Sequence, residues 1–157
     1  MKYLLILGYY FHKPKTTTLK FSTKTRYGIR AMLEIARDET QSGVFQKDIA
    51  ANQGISVKYL DQIIHALKAA GLIANLRGKK SGYILTRPPE KISMLDIHNA
   101  FEPGICVVDC LSHAMRCEKE NYCNVRGFWG KLNNLVVDYF KAINLRDVCD
   151  GKVKIDQ

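Results

Sequence analysis

The turn Gly54-Ile55-Ser56 and the residues that flank it constrain this chain more than any other stretch. After the turn, Leu60, Ile63, Ile64 and Leu67 recur at i, i+3, i+4 and i+7, the spacing of one apolar helical stripe. Ser56 stands where a helix needs an N-cap hydroxyl, and Gly71 where it needs a left-handed stop. Lys58, Tyr59, Asp61, Gln62, His65 and Lys68 fill the other face. Ahead of the turn, a shorter helix is predicted from about Gln46 to Gln53, with Ile49 and Ala50 inward. Two short helices across a glycine turn, the second polar on its outside, form a helix-turn-helix.

The flanks agree with that unit. Thr25 to Arg37 predicts an earlier helix through Tyr27, Ile29, Met32, Leu33 and Ile35. Leu72 to Arg77 and Tyr83 to Leu85 read as strands around the turn Gly78-Lys79-Lys80-Ser81-Gly82, a β-hairpin wing. Ser93-Met94-Leu95-Asp96 resembles a capping box opening a short helix that ends near Phe101. Val125, Phe128, Trp129, Leu132, Val136, Tyr139, Phe140 and Ile143 then recur every three or four residues. That stripe is longer than a small winged domain needs, so a partner helix is its natural cover. The expected fold is mainly α with a small β-hairpin wing, a winged helix-turn-helix plus a long C-terminal dimerisation helix.

Charge separates the chain into two parts. Residues 1–91 carry 16 Lys and Arg against 6 Asp and Glu, whereas residues 92–157 carry 8 against 9. One half is built to meet a polyanion and the other is not. On the second helix, Ser56, Lys58, Tyr59 and Gln62 lie towards the N-terminal end of the polar face, where base edges would be reached. On the wing, Arg77 beside Gly78 suits a narrow minor groove, and Lys79 and Lys80 suit phosphates.

Cys110, Cys117 and Cys123 fall within 14 positions on a polar connector that contains no glycine between them. Soft thiolates at such spacing select an iron–sulfur cluster or zinc, and the other use of the sulfurs is thiol chemistry without metal. Cys106, in an apolar Ile-Cys-Val-Val context, and Cys149 read as structural. No run of 18 apolar residues is present, so no membrane span is expected. The apolar stretch Met1–Phe11 lacks a small-x-small cleavage site after it, and a cytoplasmic protein is the expectation. No P-loop, G-x-G-x-x-G, H-E-x-x-H or nucleophile elbow appears, so no enzyme is expected.

Lys20-Phe21-Ser22-Thr23-Lys24-Thr25-Arg26-Tyr27-Gly28, Tyr59-Leu60-Asp61-Gln62 and Arg77-Gly78-Lys79-Lys80-Ser81-Gly82-Tyr83 carry a further signal. With the cysteine loop and Arg126 to Trp129, they resemble the bacterial Rrf-two superfamily of winged-helix transcription regulators. The likeness spans about residues 19–149 and includes the iron–sulfur-binding IscR-like and NsrR-like members. It implies a homodimer on pseudo-palindromic double-stranded DNA, with Tyr27 added to the DNA-contacting residues. It implies an iron–sulfur cluster on Cys110, Cys117 and Cys123, 2Fe–2S ahead of 4Fe–4S, with zinc the lesser alternative. In IscR-like members an acidic residue at the position of Asp61 helps choose between classes of DNA site.

Three departures stand out. Leu19 holds the place of the usual starting Met, so residues 1–18 are expected to be a disordered extension or a stretch ahead of the true start. Ser81 replaces a wing glycine. Arg126 and Arg26 occupy the places of the histidine and aspartate that complete the ligand set in the two cluster-binding branches, which leaves the fourth ligand unassigned. His113, Asp109, Cys106 or a group from the other subunit are candidates.

The expected organisation is 1–18 extension, 19–101 DNA-binding domain, 102–124 cysteine-rich cluster loop, 125–149 dimerisation helix and 150–157 tail. The expected function is a DNA-binding transcriptional repressor sensing iron–sulfur, redox or nitric-oxide status. The alternative is a cluster-free winged-helix repressor controlled by thiol oxidation or a partner protein.

Overall fold

Ser22 starts the first helix. Its hydroxyl accepts the Thr25 N–H at 3.1 Å, so α1 (Thr23–Ala36) begins two residues before the apolar period does. The computed structural model describes residues 20–40, 42–76, 82–112 and 117–154. The proposed extension at 1–18 therefore lies outside the described residues. Ala31, Met32, Ile35 and Ala36 of α1 are buried. They meet Ile49 and Ala50 of α2 (Gln46–Gln53) and Leu60, Ile63, Ile64 and Leu67 of α3 (Val57–Ala69) in one core.

α3 has the ends the sequence implies. The Ser56 hydroxyl accepts the Tyr59 N–H at 3.2 Å. At the other end Gly71 takes φ 66°, a conformation that L side chains rarely adopt. The Gly71 N–H then donates to Lys68 O and the Leu72 N–H to Leu67 O, both at 3.0 Å. This pair of bonds is a Schellman stop, and it folds Leu72 onto the core beside Leu67.

β1 (Ile73–Asn75) and β2 (Tyr83–Leu85) pair antiparallel, with Ile73 opposite Leu85 and Asn75 opposite Tyr83. Val44 adds a bridge to β2, its N–H donating to Tyr83 O at 3.0 Å while the Tyr83 N–H returns to Val44 O at 2.9 Å. The chains cross so closely there that a Cβ on Gly82 would stand 2.5 Å from the Gly43 carbonyl carbon. Only glycine fits at Gly82.

After a 3₁₀ turn at Pro89–Lys91, α4 (Met94–Asn99) opens on a complete capping box between Ser93 and Asp96. The helix expected over 125–149 is two helices, α5 (Arg126–Ala142) and α6 (Leu145–Cys149). Ile143 turns extended, and Asn144 and Asp147 form a second capping box that restarts the chain as a helix. The break returns the chain to the winged domain. Met94 N–H donates to Ile143 O at 2.9 Å, Leu145 N–H donates to Ile92 O at 2.8 Å, and Leu145 is fully buried. No described helix is long and apolar enough to cross a membrane.

Candidate functional site

The residues singled out on α3 do not all face solvent alike. Ser56, Lys58 and Gln62 are exposed, whereas Tyr59 is half-buried. Tyr59 meets the Tyr27 ring edge-on at 5.9 Å, so the structure brings together two of the predicted contact residues from separate helices. The Arg30 guanidinium lies 5.2 Å from the Tyr27 ring centre. Arg30 Nε also donates to Gln53 Oε1 at 2.5 Å, and Gln53 Nε2 to Glu34 Oε1 at 2.6 Å. These bonds tie α1 to the C-terminal end of α2 and fix the platform from which α3 projects.

Ser56 spends one lone pair on the helix cap and keeps its proton for an outward partner. Arg77, Gly78, Lys79 and Lys80 lie outside the described residues; the root of their hairpin is closed by the Leu76 N–H donating to Gly82 O at 2.8 Å. Sequence reasoning missed Arg30 and Val57. Val57, the first residue of α3, is 51% exposed, an apolar tip suited to a thymine methyl. Its position directly after the N-cap was the available signal.

In the loop, Cys110 sits in a 3₁₀ turn at Asp109–Leu111, and Cys123 follows another at Glu120–Tyr122. Arg126 links the two. Its Nη1 donates to Cys110 O at 3.0 Å and its Nη2 to the Glu120 carboxylate at 2.7 Å. The Arg126 N–H donates to Cys123 O at 3.1 Å, which seats Cys123 at the start of α5. Cys110, Cys117 and Cys123 are all free and half-buried, a donor set whose chemistry fits a soft metal. Among the described residues no three or more Cys, His, Asp or Glu side chains stand together as a metal-binding group, and His113 lies outside the described residues.

The other two thiols differ from each other. Cys106 is exposed despite its apolar neighbours, its thiol donating to Val108 O at 3.1 Å, so it is no core residue. Cys149 packs against the core, and burial pushes its thiol pKa up even though Arg37 and Arg146 pull the other way. That shift makes Cys149 poorly suited to act as a thiolate. Behind the loop, His98 is buried between Phe21 and Phe140, with Nε2 3.2 Å from Gly104 O.

A helix-turn-helix with a polar, solvent-facing second helix and a paired hairpin behind it defines a winged-helix DNA-binding transcription regulator, a binding protein and not an enzyme. The chain belongs to the Rrf2 family, whose model, described as an iron-dependent transcriptional regulator, matches residues 21–151. It is 35% identical to protein rrf2 of Nitratidesulfovibrio vulgaris over 130 residues, covering 83% of this chain and 87% of that one. Its fold is similar to CymR, the global cysteine regulator of B. subtilis, with TM-score 0.70, 30% identity and coverage of 85% and 98%. It is likewise similar to T. potens IscR, with TM-score 0.68, 30% identity and coverage of 88% and 93%.

Proposed function

We propose that this chain is a homodimeric repressor of pseudo-palindromic promoter sites whose occupancy of DNA follows the state of an iron–sulfur cluster in the cysteine loop. The observation that carries the DNA half is the outward row Ser56, Lys58 and Gln62 on a helix whose other face packs into one core with α1 and α2. Dimerisation draws support from α5. Val125, Phe128, Leu132, Leu135 and Tyr139 recur at alternating steps of three and four, and all five are exposed. That is the spacing of a seam between two helices. A pair joined this way presents two α3 helices to successive major grooves.

For the sensor, Cys110, Cys117 and Cys123 would hold the cluster, 2Fe–2S ahead of 4Fe–4S and both ahead of zinc. When bound, such a cluster supplies a centre that changes charge on oxidation and is dismantled by oxidants or nitric oxide. The chain's own contribution is Arg126. A guanidinium only donates and stays cationic, so it serves as the loop's tether and not as a ligand. The tether joins Cys110 to the first turn of α5, so a rearranged loop would be felt by the helix that sets the spacing of the two α3 helices. The fourth ligand falls to His113, Asp109, Cys106 or the other subunit.

A cluster-free thiol switch is the second reading. It is favoured by the likeness to CymR. Anaerobic purification, a visible absorption spectrum and iron and acid-labile sulfide analysis distinguish the two. Charge-transfer bands with comparable iron and sulfide support the cluster; a colourless protein that resists reconstitution overturns it. DNA binding measured against salt tests the other half, and an affinity independent of salt and sequence would sink it.

A further inference from the structure

Gln46, on the first turn of α2, reaches two other elements. The Tyr83 hydroxyl on β2 donates to Gln46 Oε1 at 3.0 Å. Gln46 Nε2 donates to the Asp61 carboxylate on α3 and reaches the Val57 carbonyl at 3.5 Å. The chemistry fixes the direction of this chain of bonds. An ionised carboxylate can only accept, so the amide must turn its NH₂ to Asp61 and its oxygen to the tyrosine. Tyr83 is itself locked by the two backbone bonds to Val44, immediately upstream of α2. Burial, and after it the charge of Asp61, raises the Tyr83 phenol pKa, so its proton stays in place to donate.

Asp61 is the only acid on α3 and lies on the exposed face between Lys58 and Gln62. A free carboxylate at such a place would swing among rotamers and repel phosphates. Held through Oδ1 by Gln46, it keeps one pose and still offers Oδ2 as an acceptor. In a major groove the partner for a fixed acceptor is an exocyclic amine, the cytosine N4 above all.

We infer that Gln46 is a positioning residue for DNA specificity: with Tyr83 behind it, it fixes the Asp61 carboxylate to read an amine-bearing base at one position of each half-site. The inference rests on the DNA-binding reading above. Its consequence is a coupling between hairpin and recognition helix that runs through α2. A disturbance of β2 would loosen the discrimination made by α3 without any change in the wing's own contacts.

The test uses the full chain and a pool of randomised duplexes selected on the wild-type protein. Fluorescence anisotropy then compares the selected duplex with its single-base variants for wild type, Gln46→Leu, Asp61→Asn, the double variant and Tyr83→Phe. Expected is a loss of about five- to tenfold in discrimination at one and the same position for Gln46→Leu and Asp61→Asn. The double variant should lose no more than Asp61→Asn alone, and Tyr83→Phe should lose less. Gln46→Leu weakening all duplexes equally, or leaving the preference intact while Asp61→Asn removes it, overturns the inference.

A wild-type chain that selects no sequence overturns the DNA-binding reading and the specificity role with it. The bond itself is read without DNA, from hydrogen exchange of the Gln46 side-chain amide by NMR. Slowed exchange that Asp61→Asn releases supports the link, and exchange equal in both proteins overturns it.

Discussion

In α3, Leu60, Ile63 and Leu67 lose all contact with solvent and Ile64 nearly all, whereas α5, the longer helix, has no buried residue at all. Both helices carry an apolar stripe. The α3 stripe is covered from above by α1 and α2 within the same chain. One side of α5 is half-covered, where Phe140 lies 5.0 Å from Phe21 and Asn133 Oδ1 accepts the Val107 N–H at 3.0 Å. Its other side shows Phe128, Leu135 and Tyr139 more than half exposed. An apolar stripe thus serves two ends. On a short helix between neighbours it makes a core, and on a helix with neighbours on one side only it leaves a face for a second chain.

The sharpest way to break this contrast is to remove one leucine from each stripe. Leu60→Ala should cost about 3 kcal/mol of folding stability in a denaturant titration, through lost burial and a residual cavity. Leu135→Ala should leave the fold of the chain nearly untouched when measured at high dilution. Equal losses would mean that α5 is already covered within its own chain.

A charge tests what covers α5. Leu135→Asp should turn a dimer into a monomer in analytical ultracentrifugation, weakening association at least about 100-fold if Leu135 lies in the centre of the seam. The circular dichroism of the winged domain should survive. A dimer that persists in both Leu135→Asp and Phe128→Asp removes this face from the interface.

The loop divides the cysteines in the same spirit. On the cluster reading proposed above, Cys110→Ser, Cys117→Ser and Cys123→Ser should each strip iron from anaerobically purified protein, and Cys149→Ser should retain it because its sulfur belongs to the core. Iron retained in any of the first three would redraw the ligand set.

The smallest effect belongs to Asp38, at the exit of α1. Its carboxylate accepts from the Thr40 hydroxyl at 2.6 Å and the Gly43 N–H at 2.8 Å. These bonds, the Thr40 hydroxyl foremost, hold its pKa below the ordinary value against the opposing effect of burial. A pKa lowered by folding contributes stability that is present above about pH 4 and lost as pH falls through the folded value. Asp38 is half-buried at the surface and solvent screens its bonds, so about 0.5 kcal/mol or less is at stake. Asp38→Ala should therefore lower the urea midpoint at pH 7 by more than it does in acid, and the gap should shrink as pH falls through the folded value; a gap undiminished in acid would point to packing instead.

Much of the fold was legible because its signals are local. Ser56 and Ser93 cap helices through bonds to residues three positions on, and Gly71 supplies the one backbone conformation the stop needs. The break at Ile143 was equally local, yet the apolar period running through Phe140 and Ile143 hid the Asn144–Asp147 box. Periodicity records which residues seek burial, and both α5 and α6 satisfy it. It does not record that the chain must turn between them to bring Leu145 home.

What the sequence determined alone is the class of the molecule: a basic helix-turn-helix with a hairpin behind it, a thiol-rich connector and an unpaired apolar helix. Those features depend on contacts within a turn or two of chain, where spacing leaves few choices. Tertiary structure decided which side chains meet. It set Tyr27 against Tyr59, gave Arg126 to Cys110 and Glu120, left Cys106 in solvent and ran Tyr83 through Gln46 to Asp61. Such pairings join residues far apart in sequence, and hydrogen-bond geometry that is specific to tenths of an ångström has no signature in composition or period.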